Sequence, residues 1–145
     1  MERRGSIRVV NRRAVTACLC LVVLGACSAG SNAPKAGTRI GLGGQTVVNH
    51  GTIDVGGQTA ADVRVSDYYF DPTVLSGSGG QSVTITIANG TRNVHNFSLP
   101  LQQIDQDVGP GQSVKVTVTF PANGQLVFFC KYHRARGMLG ELFAG

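Results

Sequence analysis

The chain has 145 residues, with three histidines, four cysteines, no tryptophan and a formal net charge of +5. That length allows one domain with a leader or tether attached. The charge does not argue for a nucleic-acid partner. Five of the 13 basic and one of the eight acidic residues precede position 27, so the remainder is nearly balanced.

Arg3, Arg4, Arg8, Arg12 and Arg13 lie ahead of an uncharged apolar run, Ala14 to Ala26. A basic segment followed by an apolar stretch of this length reads as a signal peptide over residues 1–26, too short to span a bilayer as a mature helix. The run ends Leu24-Gly25-Ala26-Cys27, which resembles a bacterial lipobox. Cleavage there would leave Cys27 as a lipidated N-terminus, and several acyl chains would hold the protein to the outer side of the cell membrane. A general signal-peptidase site is the alternative. Asn11-Arg12-Arg13-Ala14-Val15 also admits a twin-arginine signal, so the export route stays open.

Residues 27–58 are rich in Gly, Ser, Ala and Asn and read as the lipidated cysteine followed by a flexible tether. Thr46-Val47-Val48 and Thr52-Ile53-Asp54-Val55 offer weak strand signals, and His50 reads as a solvated loop residue.

Residues 59–145 read as the folded domain, with apolar and polar positions alternating at period two. Val63 and Val65 alternate with Arg64 and Ser66, and Val83, Ile85 and Ile87 with Ser82, Thr84 and Thr86. Val114, Val116, Val118 and Phe120 alternate with Lys115, Thr117 and Thr119. Gly- and Pro-containing turns, such as Asn89-Gly90 and Gly109-Pro110-Gly111, separate the runs. No stretch combines helical periodicity with caps, so the domain is expected to be an all-β sandwich or barrel. A small domain of this kind gains stability from a bound metal.

Cys18 and Cys20 would leave with the signal and Cys27 would carry lipid, so Cys130 is the one free thiol of the mature chain. An unpaired thiol in an oxidising compartment is a liability unless buried or ligated. Alternation puts Cys130 on one face with Leu126 and Phe128, and His95 on one face with Phe97 and Leu99. Both therefore point into the apolar interior. Alone, an inward Cys is a small core hydrophobe and an inward His a hydrogen-bonded core residue. Together with His133 and Met138, which the loop after Cys130 returns to the same end, they form a soft metal-binding set. Zinc competes for Cys and His but prefers a harder fourth ligand than a thioether, so the set suits copper.

The segment Phe128-Phe129-Cys130-Lys131-Tyr132-His133, followed by Gly137-Met138-Leu139-Gly140, resembles the copper loop of the cupredoxins. Its Cys-x2-His-x4-Met spacing is that of the plastocyanins, and Asn89 with His95-Asn96 is similar to their first-histidine segment. The resemblance covers residues 59–145. It implies a Greek-key β-sandwich with one copper ion at one end, cycling between Cu(I) and Cu(II). It implies His95, Cys130 and His133 as trigonal ligands and Met138 as a long axial one. By the same resemblance Asn96 would tie the two ligand segments together, and its amide would bond the Cys130 sulfur. Tyr132 stands where plastocyanins usually carry Pro, so the mouth of the site is expected to differ.

The function expected is electron transfer, without enzymatic activity, by a monomer that docks transiently to a redox partner through the exposed edge of His133. Arg92, Lys131, Tyr132, Arg134 and Arg136 would form a docking rim, basic overall and suited to an acidic partner surface. Copper storage or delivery at the envelope, with no electron traffic, is the alternative. A copper oxidase would need more histidines than the spare His50.

Overall fold

The structure, a computed structural model, describes residues 32–145. The expected signal peptide, its lipobox and Cys27 lie outside the described residues. Those described carry twelve strands: β1 (Arg39–Leu42), β2 (Gln45–Val48), β3 (Thr52–Asp54), β4 (Ala60–Ser66), β5 (Tyr69–Asp71), β6 (Val74–Gly77), β7 (Ser82–Asn89), β8 (His95–Leu99), β9 (Ile104–Val108), β10 (Ser113–Thr119), β11 (Gly124–Phe129) and β12 (Leu139–Ala144). Two short 3-10 turns, Pro100–Gln102 and Arg134–Arg136, interrupt them. No helix among the described residues is long and apolar enough to cross a membrane.

One sheet has the order β10-β7-β4-β5 and the other β3-β6-β12-β11-β8-β9. Most ladders are antiparallel, but β4–β7, β3–β6 and β6–β12 are parallel, because the chain crosses between the sheets. The result is a Greek-key β-sandwich. The alternation sets which side chains fill it. Val63, Val65, Val83, Ile85, Ile87 and Val118 project from the smaller sheet, and Leu75, Phe97, Leu99, Phe128 and Leu142 from the larger. Phe97 and Phe128 stack with centroids 4.6 Å apart, and Phe70 meets Phe128 edge-on at 5.0 Å. Edge-to-face and offset contacts of this kind add about 1 kcal/mol each beyond the area they bury. Gly140 is required beneath this cluster, since a Cβ there would lie 2.4 Å from the Phe128 ring and 2.7 Å from the Thr73 carbonyl oxygen.

Residues 39–54 do not form the flexible tether expected of them. β1 and β2 make a hairpin about Gly43-Gly44, both with positive φ, the backbone a two-residue turn of this type demands. Its Leu42 and Val47 bury against Leu139, flanked by Ile40, Val127 and Phe129. This is the outer face of the larger sheet, which would otherwise expose apolar side chains. β3 then joins that sheet's edge beside β6. The folded unit therefore includes this segment, and does not begin at residue 59. His50 is exposed, as expected, and stacks on Tyr69 with centroids 3.7 Å apart.

Candidate metal centre

Strand register brings the expected ligands to one end of the sandwich. In the β11–β12 ladder Phe129 faces Leu139, so the next step places Cys130 opposite Met138, and the Cys130 amide donates to the Met138 carbonyl at 3.1 Å. In the β11–β8 pairing Phe129 faces Ser98, which sets Cys130 beside the strand carrying His95.

The loop between Cys130 and Met138 is closed by its own backbone. The His133 amide donates to the Cys130 carbonyl at 3.1 Å, and the Arg136 amide to the His133 carbonyl at 2.9 Å. Gly137 ends the turn with φ of +82°, in the left-handed region where a Cβ is strained. That reversal returns Met138 to the core.

His95, Cys130 and Met138 are fully buried, while His133 is half-buried. One ligand atom each from His95, Cys130 and His133 lie within 4.8 Å of one another. The Cys130 sulfur is 3.4 Å from His133 Nδ1. Among the described residues, His95 Nδ1 is the one buried side-chain nitrogen or oxygen without a hydrogen-bond partner. An orphan of this kind in an apolar interior costs roughly 1–3 kcal/mol unless something binds it. A metal accepting that lone pair removes the penalty, so the residues fit the group. Two imidazoles and a thiol, with the buried Met138 side chain on the residue that pairs with Cys130, suit copper better than zinc or a hard cation. Burial holds the His133 pKa below its ordinary value, aided by the neighbouring His95, which favours the neutral imidazole a metal needs.

The loop between β7 and β8 holds His95 from behind. Asn89, also buried, accepts from the Thr91 amide at 2.9 Å and donates to the Asn93 and Val108 carbonyls at 2.8 Å each. His95 Nε2 lies 3.1 Å from Thr91 Oγ1 and 3.0 Å from Asp67 Oδ1. Sequence reasoning missed Asp67, because it comes from the turn after β4, far from either ligand segment.

Asn96 ties the two ligand segments through its side chain, whose oxygen accepts from the Lys131 amide at 3.3 Å. The Asn96 amide nitrogen donates to Asp105 and Asp107 at 2.7 and 2.9 Å. These acids also take the Lys131 ammonium, at 2.9 Å each, and the Tyr132 hydroxyl donates to Asp107 at 2.7 Å. The rim expected to be basic overall is therefore divided. On one side Lys131 and Tyr132 are tied to two aspartates. On the other, Arg134 lies over the Phe129 ring at 4.4 Å and Arg136 over Tyr68 at 4.6 Å. Arg92 is exposed on the β7–β8 loop. Tyr68 in turn packs against His133, with centroids 4.7 Å apart.

The acidic side carries a pH dependence of definite sign. The Lys131 ammonium, then the Tyr132 hydroxyl, pull the Asp107 carboxyl from 3.8 to about 2, and the same aspartates push Lys131 up. A carboxyl depressed on folding contributes stability that is complete above its unfolded value and lost as pH falls through its folded one. Denaturant midpoints should therefore fall between about pH 4 and pH 2. They should fall less steeply in Asp107→Asn, which has no carboxyl to protonate at that position.

No curated protein matches the chain by sequence. Solved structures do match the fold. Reduced auracyanin from the photosynthetic bacterium Roseiflexus castenholzii is 24% identical with a TM-score of 0.50, covering 61% of this chain and 98% of its own. Auracyanin A, a "blue" copper protein from Chloroflexus aurantiacus, is 19% identical with a TM-score of 0.50, covering 66% and 100%. The metal-binding domain of the Cu(I)-exporting P-type ATPase CopA from Streptococcus pneumoniae, with Cu(I), is 14% identical with a TM-score of 0.51, covering 59% and 84%. The sequence profile of the cupredoxin-like domain matches residues 20–142. With that match over most of its length, a Greek-key sandwich, and a His-Cys-His group fitted to one copper ion, the chain belongs to the cupredoxin-like domain family.

Proposed function

We propose that the protein is an electron carrier with one copper ion held by His95, Cys130 and His133 and, more weakly, by Met138. The grouping of one donor atom each from His95, Cys130 and His133 within 4.8 Å, with His95 Nδ1 left without a partner and the Cys130 sulfur 3.4 Å from His133 Nδ1, carries this reading. When bound, copper supplies a one-electron Cu(I)/Cu(II) couple. The chain does the rest. Burial of His95, Cys130 and Met138 keeps water from the donors, and the β-ladders hold them in one arrangement so that little must move between oxidation states. His133, the partly exposed imidazole, is the point where a partner can approach.

The anchoring belongs to the same proposal. Residues 1–26 direct export, Cys27 carries the lipid, and the monomeric domain works outside the cytoplasm against a membrane-proximal redox partner. Support comes from the basic leader, the apolar run and the lipobox-like Leu24-Gly25-Ala26-Cys27. Mass spectrometry of the membrane-extracted protein checks it, and an unmodified N-terminus at another residue would sink it.

An absorption spectrum of the copper-loaded, oxidised protein tests the site. An intense visible thiolate-to-copper band is expected, and a colourless protein would refute the reading. A fast, reversible voltammetric couple distinguishes a carrier from a storage or delivery protein, in which copper passes to a recipient instead.

Docking follows the free arginines, since Lys131 is already neutralised. Arg134→Gln with Arg136→Gln should slow reduction of an anionic redox complex roughly threefold or more at low salt, and flatten its salt dependence. Reaction with a cationic complex should not slow. Equal rates for the two proteins with the anionic complex would rule out the arginine face.

A further inference from the structure

We propose that Asp67 is a positioning residue that fixes His95 in the Nε2-protonated tautomer and biases a bound copper ion toward its oxidised state. The inference rests on the copper reading for its second part only. Its basis is a chain of hydrogen bonds that assigns every proton around the imidazole. Asp67 Oδ1 lies 3.0 Å from His95 Nε2, and a carboxylate can only accept. The other nearby oxygen, Thr91 Oγ1, sends its own proton 2.8 Å to Asn89 Oδ1, so it too must accept from Nε2. Nε2 therefore carries the hydrogen, and Nδ1 is left as a bare lone pair on a ring whose ligand atom is grouped within 4.8 Å with those of Cys130 and His133. That is the nitrogen with no partner.

Asp67 is itself held in place. Its second oxygen receives the Asn93 side-chain amide at 3.0 Å, and the Asn93 carbonyl is bonded by the buried Asn89. The carboxylate stands at the surface, 40% exposed, while the imidazole it touches is wholly buried. One full negative charge thus sits against the Nε2 side of the ring whose Nδ1 is left free to bind a metal. A carboxylate bonded to the distal nitrogen of a ligating histidine raises that ligand's basicity and fixes its orientation. Stronger donation from nitrogen favours Cu(II) over Cu(I), because the oxidised ion prefers nitrogen and the reduced one prefers sulfur.

The test compares the wild type with Asp67→Asn and Asp67→Ala. Asn keeps nearly the same shape and one acceptor for His95 Nε2, but removes the charge and turns its NH2 toward the exposed Asn93 amide, which water can then satisfy. Loss of such a partner weakens metal binding by about tenfold or more, and this loss should fall mainly on Cu(II). A tenfold change in the Cu(II)/Cu(I) affinity ratio is a rise of about 59 mV in reduction potential. The Asn variant should show that rise with a melting temperature lowered by no more than a few degrees, and the Ala variant at least as large a rise. In the metal-free wild type, nitrogen-15 NMR should find the proton of His95 on Nε2. An Nδ1-protonated His95, or an Asn variant with the wild-type potential, would overturn the proposal. A wild type that takes up no copper would defeat the copper reading instead, and the NMR measurement would still decide whether Asp67 sets the tautomer.

Discussion

Cys130→Ala should abolish the visible band of the copper-loaded protein completely, while leaving the sandwich folded. The two halves of that outcome have separate causes. The band is a transfer of charge from the thiolate to copper, and Cys130 is the only free cysteine among the described residues, so nothing nearby can replace it. The fold should survive because the change removes one buried atom from a core still filled by Phe97, Phe128 and Met138. That deletion costs about 1 kcal/mol. The stronger signature lies in the response to metal. A ligand bound only to the folded state stabilises it by about 4 kcal/mol at a free concentration a thousandfold above its Kd. Copper should raise the melting temperature of the wild type and scarcely move that of the variant. Equal copper-induced stabilisation in both proteins would show that the metal binds elsewhere.

The burial of His95 and Cys130 is legible because both sit at positions where period two is unambiguous. In His95–Leu99 and in Leu126–Cys130 the alternate residues are large and apolar, so the inward face has one solution, and both candidate ligands are fully buried on it. The loop spacing adds His133, which the structure groups with them, and Met138, which it buries. Legibility failed where contacts depend on register between strands distant in sequence. Asp105 and Asp107 stand opposite Ser98 and Asn96 in the β8–β9 ladder, which delivers them to Lys131. A count of charges along the two ligand loops sees the lysine but not the acids beside it. Asp67 escaped for the same reason. The β1–β2 hairpin failed differently. Its strands have four residues each amid glycines and asparagines, so local propensity was weak and only its packing on Leu139 defines it.

Asn89→Ala is expected to be the most destabilising change in the loop that backs the metal centre, although Asn89 touches no ligand. Its side chain is 2% exposed and makes four hydrogen bonds, to the Thr91 amide and hydroxyl and to the Asn93 and Val108 carbonyls. Alanine can replace none of them. Val108 is itself fully buried, so its carbonyl loses a partner that water cannot easily supply. Removing one side of such a network costs about 3 kcal/mol, which for a domain of this size lowers the melting temperature by roughly 10–20 °C. The backbone bonds from Asn89 to Gln112 and from Gly111 to Asn89 do not need the side chain, so β7 should persist and the damage concentrate in the loop. There Thr91, freed from Asn89, no longer holds its hydroxyl against His95, and copper affinity should fall with stability. Thr91→Val separates the two effects: it removes only that hydroxyl, leaving Asn89 its backbone bonds to Thr91, Asn93 and Val108. It should weaken copper binding while lowering the melting temperature far less. A melting temperature within about 5 °C of wild type in Asn89→Ala would mean that the loop is held by its backbone alone.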